Sequence, residues 1–85
     1  MNRRYTVVQT PKFERAFRKL NSELQQRISS RLLDLEVQPE TGKRLHGGLR
    51  GLFSLRIGDY RVLYEVRRER VILHMVEHRR TVYKV

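Results

Sequence analysis

The sequence predicts an α+β fold in which two short helices pack on one face of a small antiparallel sheet. Two observations carry this prediction. Residues 13–35 hold apolar side chains at helical spacing in two runs, broken near Asn21. Residues 52–77 alternate like strands around two short turns.

The elements follow in order. "YTVVQT" (residues 5–10) is rich in strand-forming residues and predicts a short first strand. Thr10 has the chemistry of a helix N-cap, and Pro11 suits the first helical position. Phe13, Ala16, Phe17 and Leu20 then share one helix face, and the helix is expected to stop near Asn21. Ser22 and Gln25 fit a capping box for a second helix, whose apolar stripe is Leu24, Ile28, Leu32 and Leu35. Arg27 and Arg31 lie outside that stripe. A two-residue connection makes the pair an antiparallel helical hairpin. Pro39 and Gly42 close the helical region. The stretch "PETGKRLHGGLRG" is a glycine-rich basic loop, and it lacks the terminal Gly-Lys-Ser/Thr of a P-loop.

Three strands form the rest, an antiparallel meander at about residues 52–57, 60–67 and 70–77. Gly58-Asp59 and Arg68-Glu69 are the expected two-residue turns, which fixes the pairing register. Phe53, Leu55 and Ile57 then share a face with Tyr64, Val62 and Tyr60, joined by Val71, Leu73 and Met75. The helices need that apolar face. The other face carries Ser54, Arg56, Arg61, Leu63, Glu65, Ile72, His74 and Val76, and no remaining segment is left to cover it. The whole chain, residues 1–85, reads as one domain.

Composition narrows the function. Nineteen Lys and Arg against nine Asp and Glu give +10 and a pI near 11.1. Such a surface attracts polyanions, with nucleic acid first, an acidic protein second and an anionic membrane third. No cysteine is present, so disulfides, thiolate metal sites and thiol nucleophiles are excluded. No apolar run approaches the length of a membrane span, and the N-terminus is too polar for a signal peptide. A soluble cytoplasmic protein without metal or cofactor is the expectation.

The register puts Arg56 directly opposite Arg61 on the uncovered face. Like charges in that position destabilise a sheet. An anion between them reverses the sign, because the guanidinium fork matches phosphate geometry. Arg79 follows the last strand, and Lys43, Arg44 and Arg50 lie in the loop that enters the first strand of the meander. His74 is expected on the same face, with His78 beside Arg79 and Tyr83 four residues beyond it. No Ser–His–Asp set and no paired acids stand out. Arginines with a tyrosine or histidine suit phosphoryl chemistry on RNA, where the 2′-OH is the nucleophile.

The helical hairpin with "FRKL", the segment "LRIGDYRVLYEV" and the ending "HRRTVY" resemble the RelE/ParE toxin superfamily, and the RelE-like branch most. The resemblance implies a toxin of a type II toxin–antitoxin system. RelE-type members are ribosome-dependent endoribonucleases that cleave mRNA in the A site. ParE-type members inhibit DNA gyrase and are not nucleases. By resemblance, Arg61 and Arg79 would contact the phosphate in the transition state, and Tyr83 would assist proton transfer at the 2′-OH. Arg56, Lys43, Arg44, Arg50, His74 and His78 would bind RNA. Relatives of the nuclease branch commonly carry lysines where this chain has Leu52 and Ser54, and Lys43, Arg44 and Arg50 would supply that charge from the loop. The implied partners are the ribosome, mRNA and an acidic RelB-like antitoxin, in a heterodimer or heterotetramer.

Overall fold

The computed structural model describes residues 4–49 and 51–82. Arg50 and Tyr83 therefore lie outside the described residues. The elements run β1 (Thr6–Gln9), α1 (Pro11–Arg18), α2 (Ser22–Leu33), β2 (Lys43–Arg44), β3 (Phe53–Ile57), β4 (Tyr60–Arg67), β5 (Arg70–His78) and α3 (Arg79–Val82), with 3₁₀ turns at Asp34–Glu36 and Gly47–Leu49. The strands form one sheet in the order β1-β5-β4-β3-β2. β1 runs parallel to β5, and the other neighbours are antiparallel. Parallel strands need a long crossover, and the α1–α2 hairpin supplies its helical part.

Local chemistry sets the helix ends. Thr10 caps α1 by accepting a hydrogen bond from the Phe13 amide at 3.2 Å. Its hydroxyl also donates to the Leu73 carbonyl at 2.8 Å, so the cap ties α1 to β5. The helix closes with short-range bonds from the Lys19 and Leu20 amides to the Ala16 and Phe17 carbonyls, which carries Leu20 onto the apolar face beyond the last α-helical residue. The Ser22–Gln25 capping box does not form. Asn21 is the N-cap of α2 and accepts from the Leu24 amide at 2.8 Å. Gln25 instead donates to the Phe17 and Leu20 carbonyls, both at 3.0 Å. It satisfies the orphan carbonyls of the preceding helix, which a two-residue connection brings within reach.

The helices bury Phe13, Ile28 and Leu32 against Phe53, Leu55, Ile57, Val62, Tyr64, Val71 and Leu73. Fully burying one such aliphatic or aromatic side chain contributes about 1.5–3 kcal/mol. Tyr64 is fully buried, yet its hydroxyl accepts a hydrogen bond from the Gly42 amide at 2.8 Å. Burial pushes the Tyr64 phenol above its ordinary value, and the Gly42 bond opposes that shift. A Cβ at Gly42 would stand 2.7 Å from the Tyr64 hydroxyl and 2.9 Å from the Ser54 carbonyl oxygen. Only glycine passes there.

The β3–β4 register agrees with the sequence: Phe53, Leu55 and Ile57 oppose Tyr64, Val62 and Tyr60. The β4–β5 register agrees only from the turn to Tyr64. There the ladder slips, so Leu63 opposes Met75 while the adjacent Tyr64 opposes Leu73. His74 is the extra residue of a β-bulge. Beyond it, inward and outward positions exchange. Val76 is 2% exposed in the core, and Met75 is only half-buried on the other face. Strict alternation had assigned the reverse.

Candidate nucleic-acid interface

The sheet face opposite the helices is built in rows. In the row nearest the β3–β4 turn, Arg56 stands opposite Arg61, and Arg61 stands opposite Glu77. In the next outward row, Lys43 stands opposite Ser54, Ser54 opposite Leu63, and Leu63 opposite Met75. The third row holds Glu65, Ile72 and Val8. Three cations from three strands thus occupy two adjacent rows at one corner.

Each is held differently. Arg61 is half-buried, and its Nη1 reaches the Ser54 Oγ at 3.4 Å. Arg56 is exposed and donates from Nε to the Gly58 carbonyl at 3.0 Å, which anchors its stem to the turn. Lys43 is exposed on the short edge strand. Sequence reading had left Lys43 in a loop. Two basic residues carry no strand signal, and only the free edge of β3 makes them a strand. The pairing brings Lys43 beside Ser54.

The remaining candidates divide. Arg44 alternates away from Lys43, lies over the Phe53 ring at 5.3 Å and meets Glu40 at 3.8 Å, so it belongs to the helix side of the sheet edge. His78 pairs with Tyr60 and packs edge-on against its ring at 5.3 Å, also away from Arg61. The bulge responsible for that placement is invisible to a period-two reading. Arg79 is exposed at the start of α3, and its amide donates to the Asp59 carbonyl at 2.7 Å. This bond docks α3 against the turn on which the Arg56 side chain leans. His74 is on the uncovered face, but in a separate group. Its Nε2 lies 2.9 Å from Glu65 Oε1, while Arg67 donates twice to Glu65 Oε2 at 2.6 and 3.1 Å. These bonds, His74 first and Arg67 second, hold the Glu65 carboxyl below its ordinary value. Four residues separate Glu65 from Arg61 along β4, about 13 Å at strand spacing. Leu63 and Met75 lie between the two groups. His46 is exposed in the loop before β3.

Two acids border the cationic corner, Glu77 opposite Arg61 and Asp59 in the adjoining turn, and the others paired by the structure lie away from it. Glu14, Asp34, Glu36, Glu40 and Glu65 pair with Arg18, Arg31, Arg4, Arg44 and Arg67 respectively. Among the described residues no carboxylate lies within 4.0 Å of the Lys43 or Arg56 cation. Such a corner concentrates positive potential for an incoming anion.

A sheet of this topology, with a helical hairpin on one face and arginines on the other, is the fold of a toxin of type II toxin–antitoxin systems. The chain belongs to the family described as ParE toxins of the type II toxin–antitoxin system parDE, within the RelE/ParE superfamily, and matches that family over residues 7–83. It is similar to a chain of the RelBE2 toxin–antitoxin complex of Mycobacterium tuberculosis, with 32% identity, a TM-score of 0.81, and 88% of this chain and 91% of that chain covered. It is similar to a chain of the archaeal RelE–RelB complex of Pyrococcus horikoshii, with 25% identity, a TM-score of 0.76, and 88% and 94% covered. A chain of the intact Escherichia coli RelBE complex shares the fold at 22% identity and a TM-score of 0.73, with 87% and 95% covered. No curated protein sequence matches the chain. Among the described residues no helix is long and apolar enough to cross a membrane.

Proposed function

We propose that this toxin is a ribosome-dependent mRNA endoribonuclease, built as one domain and held inactive by an acidic antitoxin. The observation that carries this reading is the cationic corner, where Lys43 stands beside Ser54 and Arg61 bonds that same serine. The corner restores from an edge strand a lysine that the β3 sequence lacks. Substrate RNA would lie across β3 and β4 with its scissile phosphate at Arg61. The 2′-OH attacks the adjacent phosphorus, the new O–P bond forms as the P–O5′ bond breaks, and the proton passes from the 2′ oxygen to the leaving 5′ oxygen. Arg61 and Arg79 stabilise the charge that develops on the phosphoryl oxygens. Tyr83 handles the proton. Arg56 and Lys43 orient the neighbouring backbone. An acidic antitoxin that covers the same face excludes RNA by occupying it, as charge complementarity favours. The structures to which the chain is similar include toxin–antitoxin complexes.

The family description also supports a second reading, in which the protein inhibits DNA gyrase and cleaves nothing. Toeprinting of mRNA on programmed ribosomes, run beside a gyrase supercoiling assay, separates the two. New A-site 3′ ends with unimpaired supercoiling are expected. Blocked supercoiling with intact mRNA would overturn the nuclease reading.

A further inference from the structure

Arg27 belongs to the outer side of α2, away from the core, and nothing in the functional reading uses it. The structure gives it a specific position. A Cβ placed on Gly58 would stand 3.1 Å from Arg27 Nη2 and 3.8 Å from its Cζ. The Arg27 guanidinium therefore lies against the side of Gly58 where a side chain would stand. That residue has φ +62°, a left-handed conformation that favours glycine. On the opposite side of the sheet, Arg56 Nε donates to the carbonyl of the same Gly58 at 3.0 Å. The next residue, Asp59, accepts the Arg79 amide at 2.7 Å. Two arginine side chains, from α2 and β3, thus meet at one two-residue turn, and the backbone of Arg79 at the start of α3 is tied to the same turn.

Among the described residues, no carboxylate lies within 4.0 Å of the Arg27, Arg56 or Arg79 guanidinium. The acids of α1 and of the 3₁₀ turn, by contrast, are paired with nearby arginines. Arg27 and Arg56 bring two like charges to a turn whose one acid, Asp59, is paired with neither within 4.0 Å, and that arrangement raises the energy of the free protein. A bound anion removes that cost, and arginine forks suit the planar, multidentate demand of phosphate.

We propose that Arg27, Arg56 and Arg79 form a backbone-phosphate site that wraps the Gly58-Asp59 turn and extends the track of a bound RNA strand from the sheet face to the helix side. The ligand is the phosphodiester backbone of single-stranded RNA, read without regard to base. This site rests on the nucleic-acid reading of the uncovered face, and its test does not depend on cleavage.

The test measures binding of fluorescein-labelled oligouridylate to the free chain between 50 and 200 mM salt. Arg27→Gln and Arg15→Gln are compared with wild type. Each removes one positive charge from an exposed helical position, but Arg15 stands on α1. Each phosphate contact with single-stranded RNA contributes about 0.7 to the slope of log affinity against log salt. Arg27→Gln is expected to lower that slope by about 0.7, and Arg15→Gln to leave it at the wild-type value. Arg27→Lys keeps the charge without the fork, and is expected to weaken binding while retaining most of the slope. Equal slopes for Arg27→Gln and Arg15→Gln would overturn the proposal, as would wild-type protein that does not bind the RNA. Loss of poly-L-glutamate binding in Arg27→Gln, with RNA binding unchanged, would assign the arginines to an acidic protein segment and also overturn it. A chain that binds RNA through Arg27 but leaves ribosomal mRNA intact keeps this site and loses the nuclease reading. Cleavage of mRNA with no role for Arg27 in binding gives the reverse.

Discussion

Arg56 faces Arg61 directly across the β3–β4 ladder, and the two differ in how the protein holds them. Arg61 is half-buried and reaches Ser54, whereas Arg56 is exposed and leans on the turn. A contact to developing charge belongs to the more firmly held member. Arg61→Ala is therefore expected to lower single-turnover cleavage of programmed ribosomes by roughly 10²–10³-fold, the range for removing one preorganised charge donor. Circular dichroism should show the fold retained. Arg56→Ala should weaken ribosome binding and raise stability in urea by about 0.2–1 kcal/mol, because a like-charge cross-strand pair is relieved. A folded Arg61→Ala variant with full activity would take Arg61 out of the site.

Glu65 gives a pH dependence whose sign is fixed. Its folded-state value is depressed, first by the His74 bond and then by Arg67. A depressed carboxyl contributes stability that is present above its unfolded value and is lost as pH falls through the folded value. Glu65→Gln should therefore be less stable than wild type in urea near pH 6, with the difference vanishing at acid pH below the carboxylate range. Both the His74 and Arg67 bonds are half-exposed, so the gap should also narrow at 1 M salt. A gap that widens on acidification would show that Glu65 is not the linked group.

Tyr64 and Gly42 make a matched pair of tests. Tyr64→Phe preserves ring packing against Phe53, stacked at 5.2 Å, but removes the acceptor for the Gly42 amide. Leaving a fully buried donor unsatisfied costs about 1–3 kcal/mol, which is the upper limit for this half-buried amide, and urea denaturation should show the loss. Gly42→Ala should cost at least as much, because its Cβ meets backbone as well as the phenol. Equal stability of Tyr64→Phe and wild type would mean that water reaches the Gly42 amide.

The parts of this fold that sequence could reach are those set by short-range rules. The Thr10-Pro11 helix start, the helical hairpin, the β3–β4 turn and the Arg56–Arg61 pairing all follow from residues within a few positions of one another. The features that sequence left hidden depend on distant partners. Gln25 chooses the Phe17 and Leu20 carbonyls over its own N-terminus only once the two helices are side by side. Lys43 and Arg44 become strand only against the edge of β3. The candidate site shows the same division. Arg56 and Arg61 are legible from the turn, Lys43 gains its place through long-range pairing, and Arg27 reaches the turn across the helix–sheet packing.

The bulge at His74 is the sharpest case, and it can be tested directly. Uninterrupted alternation from Val71 and Leu73 would put Met75 inside and Val76 outside. The slip between Leu63 and Tyr64 reverses both. Val76 is 2% exposed in the core, so Val76→Asp should bury an unpaired charge and prevent stable folding. Met75→Asp should fold, because Met75 is half-buried on the face without helices. The graded versions are more informative. Val76→Ala removes two buried methyl groups and should cost about 1–3 kcal/mol, through lost transfer free energy and a residual cavity. Met75→Ala should cost less, since the site opens to solvent on one side. Urea midpoints for the two alanine variants therefore report the register. A larger loss at Met75 than at Val76 would mean that β5 runs without a bulge, with His78 returned to the face of Arg61 and available to the RNA beside it.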